Sequence, residues 1–302
     1  MTLARVVELG SFTPSVVLEV ARRTGALAAA GLEVFERAVP SSPAQFRSLI
    51  DDELHVGLTN PDNVLAYRFD PQNPLGELVD ARILAGIDRG LGLGVWARPG
   101  ATLDDLRGAV VGVDVPGSGF ALALFTLLER RGLGRDDYEV LKLGSTPQRL
   151  QALLDGGCAA TMLGAGNELA AEAAGCTLVA SVRDELSPYL ATVVCVVRDE
   201  HLEVGHDLAD VLTATAAGIV GGALAGTAVE AAAVRLGLDD DLAQRYVARL
   251  TDPLDGLVVD GSVDPAALRT VLDLRRHWLP RVVDGRDVLA GALADPGLVV
   301  RR

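Results

Sequence analysis

Lysine is almost missing from this chain of 302 residues: Lys142 is the single one among 27 basic residues, the others being arginine. Chemistry that runs through a lysine imine therefore has one residue to rest on. Aromatic residues make up only 4% of the sequence, so those near a cleft carry more weight than they would elsewhere. Cysteine is as scarce. Cys158, Cys176 and Cys195 are odd in number and far apart, which argues against a disulfide framework and reads as three buried thiols in or beside strands. His55, His201, His206 and His277 show no ligand spacing with one another or with the cysteines, so no metal site is expected. A Gly-x-Ser-x-Gly nucleophile elbow is absent as well.

Acid is in excess. With 41 acidic against 27 basic residues the net charge is -14. A field of that sign repels phosphate backbones and anionic lipid, so nucleic acid is not expected as a partner. A hydrophobic content of 49% and a mean hydropathy of +0.30 exclude a mostly disordered chain. The start, Met1 to Leu9, carries Glu8 and lacks the basic head, apolar stretch and small-residue cleavage site of a signal peptide. The expectation is a cytoplasmic protein as the sequence stands, periplasmic or extracellular only if a signal peptide has been removed. Val211 to Val229 is uncharged, with Gly218, Gly222 and Gly226 at a spacing that packs helices in membranes. Alanine, glycine and threonine dominate it, however, so a soluble helix is expected and no membrane insertion.

The pattern along the chain is strand, turn, helix. Residues 3–9, 32–39 and 54–59 read as strands, separated by helices over 14–30 and from Pro43 to Asp51. Thr13 is the expected cap of the first of these and Pro14 its first residue. Asn60-Pro61-Asp62-Asn63 opens a further helix. This rhythm predicts a parallel sheet with crossover helices. It breaks at two strands around Asp88-Arg89-Gly90 and restarts near residue 110, with strands over 110–115, 138–143, 159–163 and 177–182. One more strand over 191–197 precedes an almost wholly helical tail over 206–250 and 264–278. Two αβ units, the second enclosed between two crossing segments, predict a bilobal α/β architecture.

Ligands in such sheets gather beyond the carboxyl ends of strands, where helix N-termini present free N–H groups. Gly10-Ser11-Phe12 and Gly117-Ser118-Gly119-Phe120 both end strands in this way. Ser11, Thr13 and Ser118 are expected to donate to a carboxylate, sulfonate or similar oxyanion, the alternative being plain helix capping. Asn60, Asp62, Asn63, Asp88, Gly117, Gly119, Thr146 and Asn167 stand at equivalent turns. Phe12, Phe120, Tyr67 and Tyr189 are candidates for an apolar pocket wall, with core packing the alternative. Gly164-Ala165-Gly166-Asn167-Glu168-Leu169 imitates a dinucleotide fingerprint but has Leu169 in place of the third glycine. Lys142 reads as a solvent-facing sheet residue, and Asp239-Asp240-Asp241 as a solvated helix start.

Several runs together resemble the type II periplasmic-binding-protein fold, in particular the nitrate/sulfonate/taurine and pyrimidine-precursor (NMT1/THI5-like) solute-binding proteins of ABC transporters. They are Gly31-Leu32-Glu33-Val34, Asp52-Glu53-Leu54-His55-Val56-Gly57-Leu58-Thr59, Leu106-Arg107-Gly108, Val111-Gly112-Val113 and Gln148-Arg149-Leu150-Gln151-Ala152-Leu153-Leu154-Asp155-Gly156-Gly157. Gly237-Leu238-Asp239 and Val263-Asp264-Pro265 fit the same pattern in the tail. The resemblance implies two αβ lobes joined by a two-segment hinge, divided as 1–92 for the first part of lobe 1, 93–198 for an inserted lobe 2, and 199–302 for a helical region packed on lobe 1. It implies that a small organic anion or heteroaromatic ligand is bound between lobes that close by hinge bending. The implied partners are that small molecule and a transporter permease, and no cofactor. Where the family pattern has an acidic residue, this chain has Cys158-Ala159-Ala160, and the cysteine-rich motif of the pyrimidine synthases is absent. A cytoplasmic cofactor-independent lyase, decarboxylase or dehydratase, with Asp62, Asp88, His55 or Ser118 as acid or base, and an intracellular ligand sensor are the alternatives.

Overall fold

The computed structural model describes residues 4–302, so the expected strand start at Leu3 lies outside the described residues. The first unit contains β1 (Arg5–Ser11), α1 (Val16–Arg23), α2 (Ala26–Ala29), β2 (Leu32–Ala38), α3 (Ser42–Ile50), β3 (Val56–Thr59), α4 (Pro61–Phe69) and β4 (Arg82–Asp88). The second contains β5 (Gly94–Ala97), β6 (Val110–Val113), α5 (Gly119–Arg130), β7 (Glu139–Lys142), α6 (Thr146–Leu154), β8 (Ala160–Leu163), α7 (Asn167–Ala173), β9 (Thr177–Ser181) and α8 (Val182–Glu185). Then follow β10 (Thr192–Val196), α9 (Leu202–Val220), α10 (Ala225–Leu236), α11 (Asp240–Leu250), α12 (Pro265–Trp278) and the short pair β11 (Val282–Val283) and β12 (Arg286–Asp287).

Two five-stranded sheets result, in the orders β2-β1-β3-β10-β4 and β7-β6-β8-β5-β9. In each, four strands run in one direction and one crossing strand is antiparallel to its neighbours: β10 between β3 and β4, β5 between β8 and β9. The molecule is therefore a bilobal α/β protein whose chain passes between lobes twice, after β4 and after β9. The expected return at residue 198 is late, because β10 already pairs with β3 and β4 and the chain comes back between Ser181 and Thr192. A mostly apolar strand such as β10 carries no mark of the sheet it joins.

The first expected helix also differs. Ser15, not Thr13, caps α1, its hydroxyl accepting from the Leu18 N–H at 3.2 Å. Glu36 draws the cap to that position by accepting the Ser15 N–H at 2.8 Å. Gly25, at φ 75°, then breaks the run into α1 and α2. In the tail, α9 and α10 bury Leu208, Leu212, Ile219 and Ala228 in the core that α1 and β1 share. No single described helix is long and apolar enough to cross a membrane; α9 and α10 meet that test only as a pair bent by 112°. The tail does more than back the first lobe, since α11 packs against α7 and α12 lies against both α4 and α5. All three cysteines are free and buried.

The junction between lobes is built around α12. Arg275, buried on that helix, grips Asp62 at the start of α4 with two hydrogen bonds, Nε to Oδ1 at 2.6 Å and Nη2 to Oδ2 at 2.8 Å. Its Nη2 also donates to the Gly117 carbonyl, just before α5, at 2.8 Å. One guanidinium thus ties the first lobe, the second lobe and the tail together. Beside it the N-termini of α4 and α5 meet so closely that a Cβ on Gly119 would stand 2.5 Å from Asn60 Oδ1 and 2.6 Å from Asp62 Cβ. Two positive helix ends abut here, and the Asp62 carboxylate in the first turn of α4 offsets them. Arg275→Ala would leave that carboxylate buried without a partner. The expected loss is about 3–5 kcal/mol of unfolding free energy in urea titrations; a loss below about 1 kcal/mol would show the tie to be dispensable.

Candidate functional site

The carboxyl ends of β1, β3 and β4 in one lobe face those of β6 and β8 in the other across a cavity of about 120 Å³, close to the roughly 150 Å³ that holds a benzene-sized molecule. Its first-lobe wall holds Ser11, Phe12, Thr13, Asn60, Asn63 and Asp88; its second-lobe wall holds Ser118, Gly119, Phe120 and Thr146. Nine of the thirteen residues singled out as ligand-binding are brought together here. Asp62, Gly117, Asn167 and Tyr189 are not on its lining. Asp62 and Gly117 are held by Arg275 behind the wall. Tyr189 is buried against Asn60, its hydroxyl accepting from Nδ2 at 3.4 Å, and Asn167 turns its amide back onto the Gly164 carbonyl at 3.1 Å. Of the aromatics, Phe12 and Phe120 line the cavity, while Tyr67 stacks on Phe46 in the core at 4.0 Å. Lys142 is exposed on β7, away from the cavity.

The serines are placed as expected but are not free donors. Ser11 Oγ gives its proton to Glu36 Oε1 at 2.7 Å, and Ser118 Oγ gives its own to Asp114 while accepting the Ala121 N–H at 3.2 Å. Asn60 is likewise spent: Oδ1 caps α4 by accepting the Asp62 N–H at 2.8 Å, and Nδ2 donates to the Ala191 carbonyl at 3.1 Å. These side chains hold the rims of the cleft in shape. The first turns of α1 and α5 line it at Val16, Val17, Gly119 and Phe120, where helical N–H groups have no intrahelical acceptor.

The strongest feature was missed by sequence reasoning. Arg149, in the first turn of α6, lines the cavity and is only 2% exposed. Its guanidinium is fixed by neutral acceptors: the Met162 carbonyl at 3.2 and 3.3 Å, the Gly144 carbonyl at 2.6 Å and Thr146 Oγ1 at 3.1 Å. Among the described residues it forms no ion pair within 4 Å, unlike buried Arg275. Burial pushes its pKa down, opposed by the charge of Asp114. A cation at a helix N-terminus works against the macrodipole. That mismatch was the available signal in Ser145-Thr146-Pro147-Gln148-Arg149. Asp114, Thr192 and Tyr246, which also line the cavity, carried none.

A second set of charges surrounds the first crossing segment. Asp88 accepts the Gly90 N–H at 3.0 Å and Asp255 accepts the Gly92 N–H at 2.5 Å. Glu168, fully buried, packs so closely on Gly92 that a Cβ there would meet its Oε1 at 2.6 Å. Asp255 comes from the tail and Glu168 from the second lobe; one oxygen of each is buried with no partner. Burial pushes Glu168 up to about 7 and Asp88 up to about 6, in both cases against hydrogen bonds that favour the charged form. Asp255 is raised too, again mainly by burial.

The whole arrangement is that of the bilobal periplasmic-binding-protein fold. Among solved structures, the alkanesulfonate-binding protein of Xanthomonas axonopodis pv. citri bound to MOPS aligns with a TM-score of 0.75 at 17% identity, over 100% of both chains. The periplasmic nitrate-binding protein of Synechocystis PCC 6803 aligns with 0.76 at 11% identity, over 99% of this chain and 86% of its own. The ligand-binding component of an ABC-type import system from Staphylococcus aureus, with zinc bound, aligns with 0.73 at 12% identity, over 98% and 97%. At these identities the likeness establishes the fold. No protein-family model and no curated protein matches the chain.

The buried carboxylates set a pH dependence. A carboxyl whose pKa is higher folded than unfolded holds a proton in the native state that the unfolded chain has lost, so stability falls as pH rises through that window. For Glu168 the window runs from its ordinary 4.5 to about 7. The melting temperature is expected to drop by on the order of 5 °C between pH 5 and pH 8. Glu168→Gln should remove much of that slope. An equal slope in both proteins would contradict the assignment.

Proposed function

We propose that the protein is a solute-binding protein that takes a small organic anion into the interlobe cleft and closes over it by bending at the two crossing segments. The reading rests above all on Arg149, a buried cation that has no ion-pair partner among the described residues and lines the cavity wall. An acidic group set against its guanidinium would also face the first turns of α1 and α5, which favour negative charge. Phe12 and Phe120 suit an apolar or aromatic body, and the Asp88 carboxyl suits a hydrogen-bond donor or a positive group on the ligand. A ligand that is an anion at one end and a donor at the other fits all of these walls. Binding drives closure only as far as the ligand prefers the closed form. The compared proteins include a component of an ABC-type import system, and a permease is the partner this reading implies.

A second reading, an enzyme on the same scaffold, has Asp88 in its favour: a buried carboxyl at the cleft, with its pKa up at about 6, is suited to proton transfer. Its other candidates are placed elsewhere or engaged. Asp62 is locked to Arg275, His55 stands at the amino end of β3, away from the cleft, and Ser118 is bonded to Asp114.

A thermal-shift screen against metabolite extracts, followed by mass spectrometry of each stabilising compound, separates the two. The expected outcome is an acidic small molecule recovered unchanged. Its affinity should fall by on the order of 100-fold in Arg149→Gln, the cost of losing a buried charged partner. Recovery of a converted product would overturn the pure binding reading, and unaltered affinity in the variant would remove Arg149 from the site.

A further inference from the structure

Away from the cleft, three side chains with metal-ligating atoms converge that the sequence spacing keeps apart. His201 Nε2 lies 2.6 Å from Asp52 Oδ1, across 149 residues of chain. The His55 ring stacks on that of His201, centroids 4.5 Å apart and planes 25° from parallel. One ligand atom from each of the three lies within 4.8 Å of the others. Tetrahedral zinc with bonds of about 2.1 Å sets its ligand atoms roughly 3.4 Å apart, inside the 4.8 Å within which all three lie. Movements of about 1 Å, in side chains that are partly exposed, would complete it. Two imidazoles and a carboxylate are a donor set that suits zinc, with water in the fourth position.

The surroundings are acidic. Asp51 and Glu53 flank Asp52 in sequence, and Glu200 Oε1 stands 4.0 Å from His201 Nε2. Arg198 is the opposing charge, 3.8 Å from Asp52, but its guanidinium is already engaged by Glu200 at 2.6 Å. A 3.3 Å contact from the Glu8 N–H to His55 Nδ1 has to loosen if that ring is to turn.

We propose that Asp52, His55 and His201 form a zinc site that clips the returning tail to the first lobe. Asp52 and His55 belong to the turn between α3 and β3, and His201 immediately precedes α9, so the metal joins the two segments of the chain that the second lobe separates. The site stands at the amino end of β3, opposite the cleft, and its action is on stability.

The test uses the full chain, stripped with chelator and titrated with zinc chloride. Equilibrium dialysis with metal analysis should give one zinc per chain, and the melting temperature should rise by several degrees. His201→Gln and His55→Gln should each weaken binding by on the order of ten-fold or more. In the unaltered protein, nitrogen-detected imidazole spectra should show two of the four histidines responding, while His206 and His277 stay put. Absence of binding at 100-fold molar excess, unchanged affinity in both variants, or a response at His206 or His277 in place of the stacked pair would overturn the site.

Discussion

A single guanidinium holds the two halves of this molecule in register. Arg275 reaches from the tail to a buried carboxylate on α4 and to a backbone carbonyl in front of α5, and so brings two helix N-termini into contact. A bare meeting of those ends would be repulsive; with Asp62 between them and Arg275 behind it, the charges close into a satisfied cluster. Gly119 allows the approach by having no side chain at all. This contact lies where the two lobes meet, beside the facing carboxyl ends of the two sheets.

The same economy of charge runs through the cleft. Hydroxyls that look like ligand donors on paper are bonded to carboxylates just behind the wall: Ser11 to Glu36, Ser118 to Asp114. Glu36 in turn meets Arg235 of the tail, so the α1 rim is anchored through its acid to α10. The cleft wall also presents backbone N–H at helix starts, with the buried Arg149 cation set into it. Carboxylates positioned around the first crossing segment add a different constraint. Glu168 and Asp255 press on Gly92 and Gly90, which sit in positive-φ conformations, and each leaves an oxygen without a partner. Carboxyl groups whose pKa burial raises thus sit on the first segment that crosses between the lobes.

Much of this was legible in the amino-acid sequence because it is written in local chemistry. The strand–turn–helix rhythm, the caps at Asn60 and Ser118 and the two glycine-bearing strand ends all follow from neighbouring residues, and the structure has them. The parts that were not legible depend on partners far along the chain. Asp62 reads as a cleft residue until Arg275, 213 residues later, takes it. Ser15 replaces Thr13 as the α1 cap because Glu36 on β2 is there to receive its N–H. The return of the chain at β10 is hidden because an apolar strand fits either sheet, and His55 and His201 show no ligand spacing until the fold stacks them. Arg149 lies between the two cases. Its conflict with the helix dipole was in plain view, but its isolation from carboxylates is a property of the folded cleft.

The close contact at Gly119, backed by Arg275, holds the lobes at their angle to one another. Nitroxide labels introduced by Glu33→Cys on β2 and Glu139→Cys on β7, both exposed, report that angle as a distance by double electron–electron resonance. With Gly119 intact the distribution should be narrow; adding Gly119→Val, whose side chain has no room against Asn60 and Asp62, should lengthen and broaden it. A distribution that the valine leaves unchanged would contradict the claim.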